Sequence, residues 1–300
     1  MSMKLKIWFL ETRPQFLVLS VILVLLGTAI SWNEGHFDWL RFVLTTIGLV
    51  LAHASVNVLN DYFDYKSGID LETTRTPFSG GSGILPQKLL EPEPTYRFGV
   101  GCLLAALLIG TYLAYVSGWQ LLPLIILGGP VIYFYTSHLT KWLVGELWAG
   151  LGLGTLPVLG TYFVQTGHYS AGALLASLAP GFLTANLLFL NEFPDIAPDT
   201  KGGRWHLVIA LGTKRAALLY AGLMAMTYLS ILGGVVSRFM PALSLIAFLS
   251  IPLALKAISI TFKYHDNPQQ LVHALKANVL TILSTDALLA LGYLLDSLRT

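Results

Sequence analysis

The chain has 300 residues, of which 55% are hydrophobic and 11% charged, with a net charge of +2 and a single cysteine, Cys102. A soluble domain carries roughly 25% charged residues, so a soluble enzyme, a disordered chain and a nucleic-acid binder are excluded. One cysteine also excludes a disulfide framework and a cysteine zinc site. What fits is an all-α, polytopic protein embedded in a lipid bilayer.

A spanning helix needs about 20 mostly apolar residues. Nine runs are read as spans, near 16–31, 40–59, 98–117, 121–137, 143–164, 171–190, 216–236, 241–261 and 274–295. Lys4, Lys6 and Arg13 precede the first run, which is read as a span rather than a cleavable signal peptide because further spans follow it. The second run carries His53, Asn57, Asn60 and Asp64 at spacings of four, three and four, one stripe on a helix. In lipid such a stripe should face the bundle interior. It opens a first acidic motif, Asn60-Asp61-Tyr62-Phe63-Asp64-Tyr65-Lys66-Ser67-Gly68-Ile69-Asp70. Gly68 is expected to end the helix and let Asp70 fold back. The connection continues through Arg75 and the stretch Ser79-Gly80-Gly81-Ser82-Gly83, whose backbone N–H groups could meet a phosphate. No Gly-Lys-Ser/Thr follows, so this is not a Walker A.

After the fourth run come Tyr133, Tyr135, His138 and Lys141, then Glu146. The sixth run leads into a second acidic motif, Asn191-Glu192-Phe193-Pro194-Asp195-Ile196-Ala197-Pro198-Asp199, where Pro194 and Pro198 argue against a straight helix through Asp199. Lys201 and Arg204 follow it. The ninth run holds Asp286 near its middle.

The two motifs share a pattern: Asn, an acid, two residues, Asp. Each closes a run, four runs apart. Residues 1–300 are therefore expected to form one domain of two parallel four-helix pseudo-repeats, about 12–138 and 142–262, plus a ninth helix at about 272–296. Lys and Arg fall on one side of a nine-span layout, leaving only Arg41, Arg238 and Arg299 opposite and Lys256 within a span. By the positive-inside rule the N-terminus is expected in the cytoplasm, the C-terminus outside, and the long motif-bearing loops as cytoplasmic caps, in a cell membrane.

Oxygen-only acidic clusters suit Mg²⁺, which bridges readily to substrate phosphates. Two of them at matching helix ends could clamp one diphosphate. The expected ligands are Asn60, Asp61, Asp64, Asp70, Asn191, Asp195 and Asp199, with Asn60, Asp64, Asn191 and Asp195 as the catalytic set. Arg13, Lys66, Arg75, Lys141, Lys201 and Arg204 are the cations available to grip a diphosphate, with Tyr135 beside them. Faces of Tyr62, Phe63, Tyr133 and Tyr135 could steady a positive charge, although aromatics also populate membrane interfaces. Glu146 and His138 are candidate bases.

These residues resemble the UbiA superfamily of intramembrane prenyltransferases, across essentially the whole chain. The resemblance implies nine transmembrane helices and two Asp-rich cytoplasmic motifs that bind Mg²⁺ and prenyl diphosphate, here Asn60, Asp64 and Asp70, then Asn191, Asp195 and Asp199. The long interval from Asn60 to Asp70 is similar to the menaquinone-pathway branch, as are Thr12-Arg13-Pro14, Gly145-Glu146, Pro157-Val158-Leu159-Gly160-Thr161-Tyr162 and Gln165-Thr166-Gly167. The sequence departs from family patterns in lacking a Lys four residues after Tyr135, where Leu139 stands. It departs also in its Thr76-to-Gly83 loop and in the prolines of the second motif. The implied reaction is transfer of a polyprenyl group to a lipophilic, hydroxynaphthoate-like aromatic acceptor through an allylic cation. A glycerol-phosphate ether-lipid acceptor is the alternative within the superfamily, and a cation-coupled transporter the alternative outside it.

Overall fold

The computed structural model describes residues 3–73, 75–136, 139 and 145–299; His138 and Lys141 lie outside them. All regular structure among the described residues is helical. A short helix α1 (Met3–Glu11) leads to α2 (Pro14–Asn33), α3 (Trp39–Ser67), one turn of α4 (Ile69–Glu72) and α5 (Pro92–Ser117). A 3-10 turn precedes α6 (Leu122–Phe134). Then α7 (Gly145–Gly150) runs through a π-turn (Leu151–Thr155) into α8 (Leu156–Thr166). The long α9 (Ala171–Lys201) is followed by α10 (Leu207–Leu211), α11 (Thr213–Val236), a 3-10 segment continuing as α12 (Ile251–Tyr264), and α13 (Pro268–Ser297).

Among the described residues eight helices are long and apolar enough to cross a membrane, and the protein is an integral membrane protein. The fourth expected run appears as the shorter apolar helix Trp119–Phe134. Leu108, Tyr115, Trp119, Val236 and Leu249 stand outward, as lipid-facing side chains should.

Both acidic motifs are more helical than a loop reading suggests. Helix α3 extends through Asp64 to Ser67, where Gly68 takes φ +83° and terminates it, a conformation that suits glycine alone. Helix α9 continues through Pro194 and Pro198 to Lys201. Each proline removes one N–H bond, to the residue four back. Those losses fall at Leu190 and Pro194, one turn apart, and leave the remaining ladder to carry the helix.

Between helices in lipid there is no hydrophobic drive, so close packing must hold them. Gly150 and Gly154 press on α9 at Gly181: a Cβ on Gly154 would stand 2.5 Å from the Pro180 carbonyl oxygen and 2.7 Å from the Gly181 Cα. The π-turn beside this crossing frees carbonyls, and Thr184 Oγ1 donates to Leu153 O at 3.0 Å. Helix α13 lies against α2, α9 and α12.

Candidate functional site

A cavity of about 420 Å³ opens between the ends of α3 and α9 and continues inward between α2, α5, α6, α8 and α13. Its deep part is lined by apolar side chains such as Leu113, Leu121 and Val164. Its mouth is lined by Asn60, Asp64, Asp70, Asn191, Asp195 and Asp199. The stripe of α3 faces it throughout, since His53 and Asn57 line it too. Those two also fasten α3 to the N-terminal segment: Ser20 Oγ meets His53 Nδ1 at 2.8 Å, and Asn57 Nδ2 donates to Thr12 O at 2.9 Å.

At the mouth, Asn60 Nδ2 donates to Asp64 Oδ2 at 2.9 Å and to Thr136 Oγ1 at 3.1 Å. Arg204 joins the two motifs. Its Nη2 pairs with Asp64 Oδ1 and its Nη1 donates to Asp199 Oδ1 at 3.1 Å. Burial works against the guanidinium charge, but Asp64 and Asp199 outweigh it and push the pKa of Arg204 further up. Arg13, in a left-handed conformation at the head of α2, stands 3.8 Å from Asp61 Oδ1. Tyr135 lines the cavity where its polar and apolar parts meet, and burial, then Glu192 and Glu146, hold its hydroxyl well above the usual phenol range.

The glycine-rich stretch folds over Asp61 and Asp70. Ser82 N–H donates to Asp61 Oδ2 at 2.8 Å, and Arg75 Nη1 braces the loop by donating to Ser82 O at 2.6 Å. Gly81 has φ +71°, and a Cβ there would sit 3.0 Å from Asp70 Oδ2 and 3.3 Å from Asp61 Oδ1. Burial, then Asp64 and Asp61, push the Asp70 carboxyl up to about 8.

The expected cations divide. Arg13 and Arg204 line the cavity. Arg75 serves the loop behind its wall. Lys66 is exposed, with its ammonium over the Tyr62 ring at 5.8 Å, and Lys201 pairs with Glu72 on the surface. Asp61 is buried just behind the lining.

Further buried polar groups lie in or beside the mouth, and spacing in the sequence does not single out two of them, His206 and Glu11. His206 stands between Glu192 Oε2 at 3.3 Å and Asp199 Oδ2 at 3.4 Å. Glu192 occupies in the second motif the place of Asp61 in the first, a correspondence visible in the sequence. Glu11, at the end of α1, is fully buried and accepts from Ser82 Oγ at 2.8 Å. Burial, then Asp61, push its carboxyl up to about 8. Glu146 is buried and accepts the Leu207 N–H at 3.0 Å, which anchors α10. Asp286 is buried in α13, away from the mouth.

The donor set at the mouth suits a hard divalent cation. Asp61 Oδ1, Asp70 Oδ2 and Asn191 Oδ1 are buried oxygens that accept no hydrogen bond among the described residues. All are carboxylate or amide oxygens, the ligands that Mg²⁺ prefers. No three His, Cys, Asp or Glu side chains among the described residues are drawn together as a ready-made metal cage.

The sequence model of the UbiA prenyltransferase family matches residues 20–280. The chain belongs to the UbiA prenyltransferase family. It is 28% identical to the 1,4-dihydroxy-2-naphthoate octaprenyltransferase of Bacillus subtilis (strain 168), over 99% of this chain and 95% of that protein. The fold is that of a UbiA homolog from Aeropyrum pernix K1 in its apo form, with a TM-score of 0.72, 15% identity, and coverage of 92% of this chain and 98% of that one. It is likewise that of a UbiA homolog from Archaeoglobus fulgidus bound to GPP and Mg²⁺, with a TM-score of 0.65, 16% identity, and coverage of 94% and 99%. As a UbiA-family member the protein is a prenyltransferase.

Proposed function

We propose that this UbiA-family cavity carries out an Mg²⁺-dependent transfer of a polyprenyl group from prenyl diphosphate to a ring carbon of a hydroxynaphthoate. The observation that carries the reading is the continuity of one cavity from a mouth of paired carboxylates, Asn60, Asn191, Arg13 and Arg204 to a long apolar interior. A diphosphate with a hydrocarbon tail has that distribution of polarity. The naphthoate octaprenyltransferase relative and the GPP- and Mg²⁺-bound fold relative support it.

In this reading Asn60, Asp64, Asn191 and Asp195 form the catalytic set, and Asp61, Asp70 and Asp199 complete the oxygen ligands. Mg²⁺, when bound, neutralises charge on the diphosphate as it becomes the leaving group. Arg13 and Arg204 offer guanidinium forks to phosphate oxygens. Lys66, Arg75 and Lys201, outside the cavity wall, contribute through the field that draws a polyanion toward the mouth. As the allylic C–O bond breaks, its electron pair leaves with the diphosphate and a cation remains on the prenyl carbon. The apolar wall keeps water from capturing that cation, and the ring of Tyr135 offers it a negative face. A hydroxylated naphthoate carbon is made nucleophilic by its own oxygens, so it captures the cation without a strong protein base, and the ring regains aromaticity by losing what that carbon carried, a proton to water or the carboxylate as CO₂. An ether-lipid acceptor would attack through an alcohol oxygen and require such a base.

We also read the chain as a single domain of two pseudo-repeats, in the plasma membrane, with a cytoplasmic N-terminus. The helix Trp119–Phe134 then serves as a fourth of nine crossings. Competition tests the acceptor: purified protein receives Mg²⁺, one pool of geranylgeranyl diphosphate, 1,4-dihydroxy-2-naphthoate and a prenylated glycerol phosphate, and products are resolved by mass. A prenylated naphthoid product is expected. Exclusive formation of the ether lipid would overturn the acceptor assignment and leave the diphosphate site standing. Absence of Mg²⁺-dependent pyrophosphate release would favour a transporter.

A further inference from the structure

Glu11 poses a problem of charge. Its carboxyl is fully buried at the end of α1, and a buried carboxylate is costly unless paired. One oxygen accepts the Ser82 hydroxyl; the other, Oε1, accepts nothing among the described residues. Ser82 leads directly to a second carboxylate, because its N–H donates to Asp61 Oδ2 at 2.8 Å. Gly81 leads to a third, since a Cβ there would meet Asp61 Oδ1 and both oxygens of Asp70 within 3.3 Å. Asp61 Oδ1 and Asp70 Oδ2 are also buried oxygens without a hydrogen-bond donor. Three carboxyl groups thus each meet one of two consecutive loop residues, and each has an unsatisfied buried oxygen. Arg13 stands 3.8 Å from Asp61 Oδ1. Arg204 is engaged elsewhere, by Asp64 and Asp199.

We propose that Glu11, carried by the N-terminal helix, is a further acidic member of the divalent-cation site, joined to Asp61 and Asp70 through the Gly81–Ser82 loop. This rests on reading the mouth as an Mg²⁺ site. Oxygen is the only donor type in the group, and three of its buried oxygens accept no hydrogen bond among the described residues, the donor set that a hard divalent cation prefers. The arrangement ties α1 and the loop to the first motif, and it gives the N-terminal segment a task in binding.

The test is Mn²⁺ titration of the purified full-length protein, read by loss of the free-ion electron paramagnetic resonance spectrum. The wild type is expected to bind Mn²⁺ saturably. Glu11→Gln, which keeps the shape and the Ser82 hydrogen bond, should weaken binding by about tenfold or more, the equivalent of about 1.4 kcal/mol. Its metal-free melting temperature should hold, because the amide keeps the shape and accepts the Ser82 hydroxyl; a purely structural role would lower melting and leave Mn²⁺ affinity unchanged. Glu11→Asp retains the charge on a shorter stem and should fall between the two. Wild-type affinity in Glu11→Gln overturns the proposal and leaves the Mg²⁺ reading intact. Should Glu11→Gln not fold, wild-type affinity in Glu11→Asp overturns it as well. A wild type with no saturable Mn²⁺ binding overturns both.

Discussion

Arg204 touches both acidic motifs at once, so its geometry matters as much as its charge. Lysine offers a point charge and cannot span two carboxylates in a fork. Arg204→Lys is expected to cut prenyl transfer about tenfold or more, roughly 1.4 kcal/mol of transition-state stabilisation, measured as kcat/KM for prenyl diphosphate. Asp64→Ala and Asp195→Ala should each cost about 100-fold in rate, or about 2.7 kcal/mol; melting should change little in Asp195→Ala and fall in Asp64→Ala, which takes a partner from the buried Arg204. Near-normal turnover in either alanine variant at low Mg²⁺ would rule out a clamp made by both motifs. These residues were legible in the sequence because Asn and Asp recur at one spacing at the ends of two apolar runs. His206 and Glu11 were not. Each is a single polar residue whose burial depends on neighbours far along the chain, Glu192 and Asp199 for one and Ser82 for the other, and no periodicity carries that information.

Among the elements, the crossing of the α7–π-turn–α8 span over α9 rests on absent side chains. Gly154→Ala would place a methyl 2.5 Å from a backbone oxygen. Overpacking of that kind costs about 1–3 kcal/mol, so melting in detergent should fall clearly. Gly222→Ala is the contrast. A Cβ there meets nothing within 4 Å, and replacing a mid-helix glycine should stabilise by about 0.5–1 kcal/mol. Apolar run length located the spanning helices, and the His53-to-Asp64 stripe named the face of α3 that lines the cavity. Run length placed a fourth span near 121–137, where the described helix is the shorter Trp119–Phe134. The proline rule in turn broke α9 too early, because a helix packed along its length against α11 and α13 can forgo a few hydrogen bonds.

For the molecule as a whole, the distribution of Lys and Arg sets the orientation to be tested. Cysteine introduced at Lys201 should be labelled from the cytoplasmic side and at Gly167 from the other, in a Cys102→Ser background read with a membrane-impermeant maleimide. Both positions are exposed at opposite ends of α9 or its connection. Labelling of both from one side would remove the proposed orientation. The pairing of motifs was readable from the sequence at this scale. The cavity between them was not, since its walls come from segments spread over nearly the whole chain. That dispersal sets a schedule during synthesis. Val279, Ile282 and Leu283 of α13 supply part of the wall, so a nascent chain that has already inserted both acidic motifs still has an open side. The compartment that must keep water from a prenyl cation is closed only when the final helix enters the bilayer, and a ribosome stalled before it would leave behind a protein with its chemical groups in place and no shelter for the reaction.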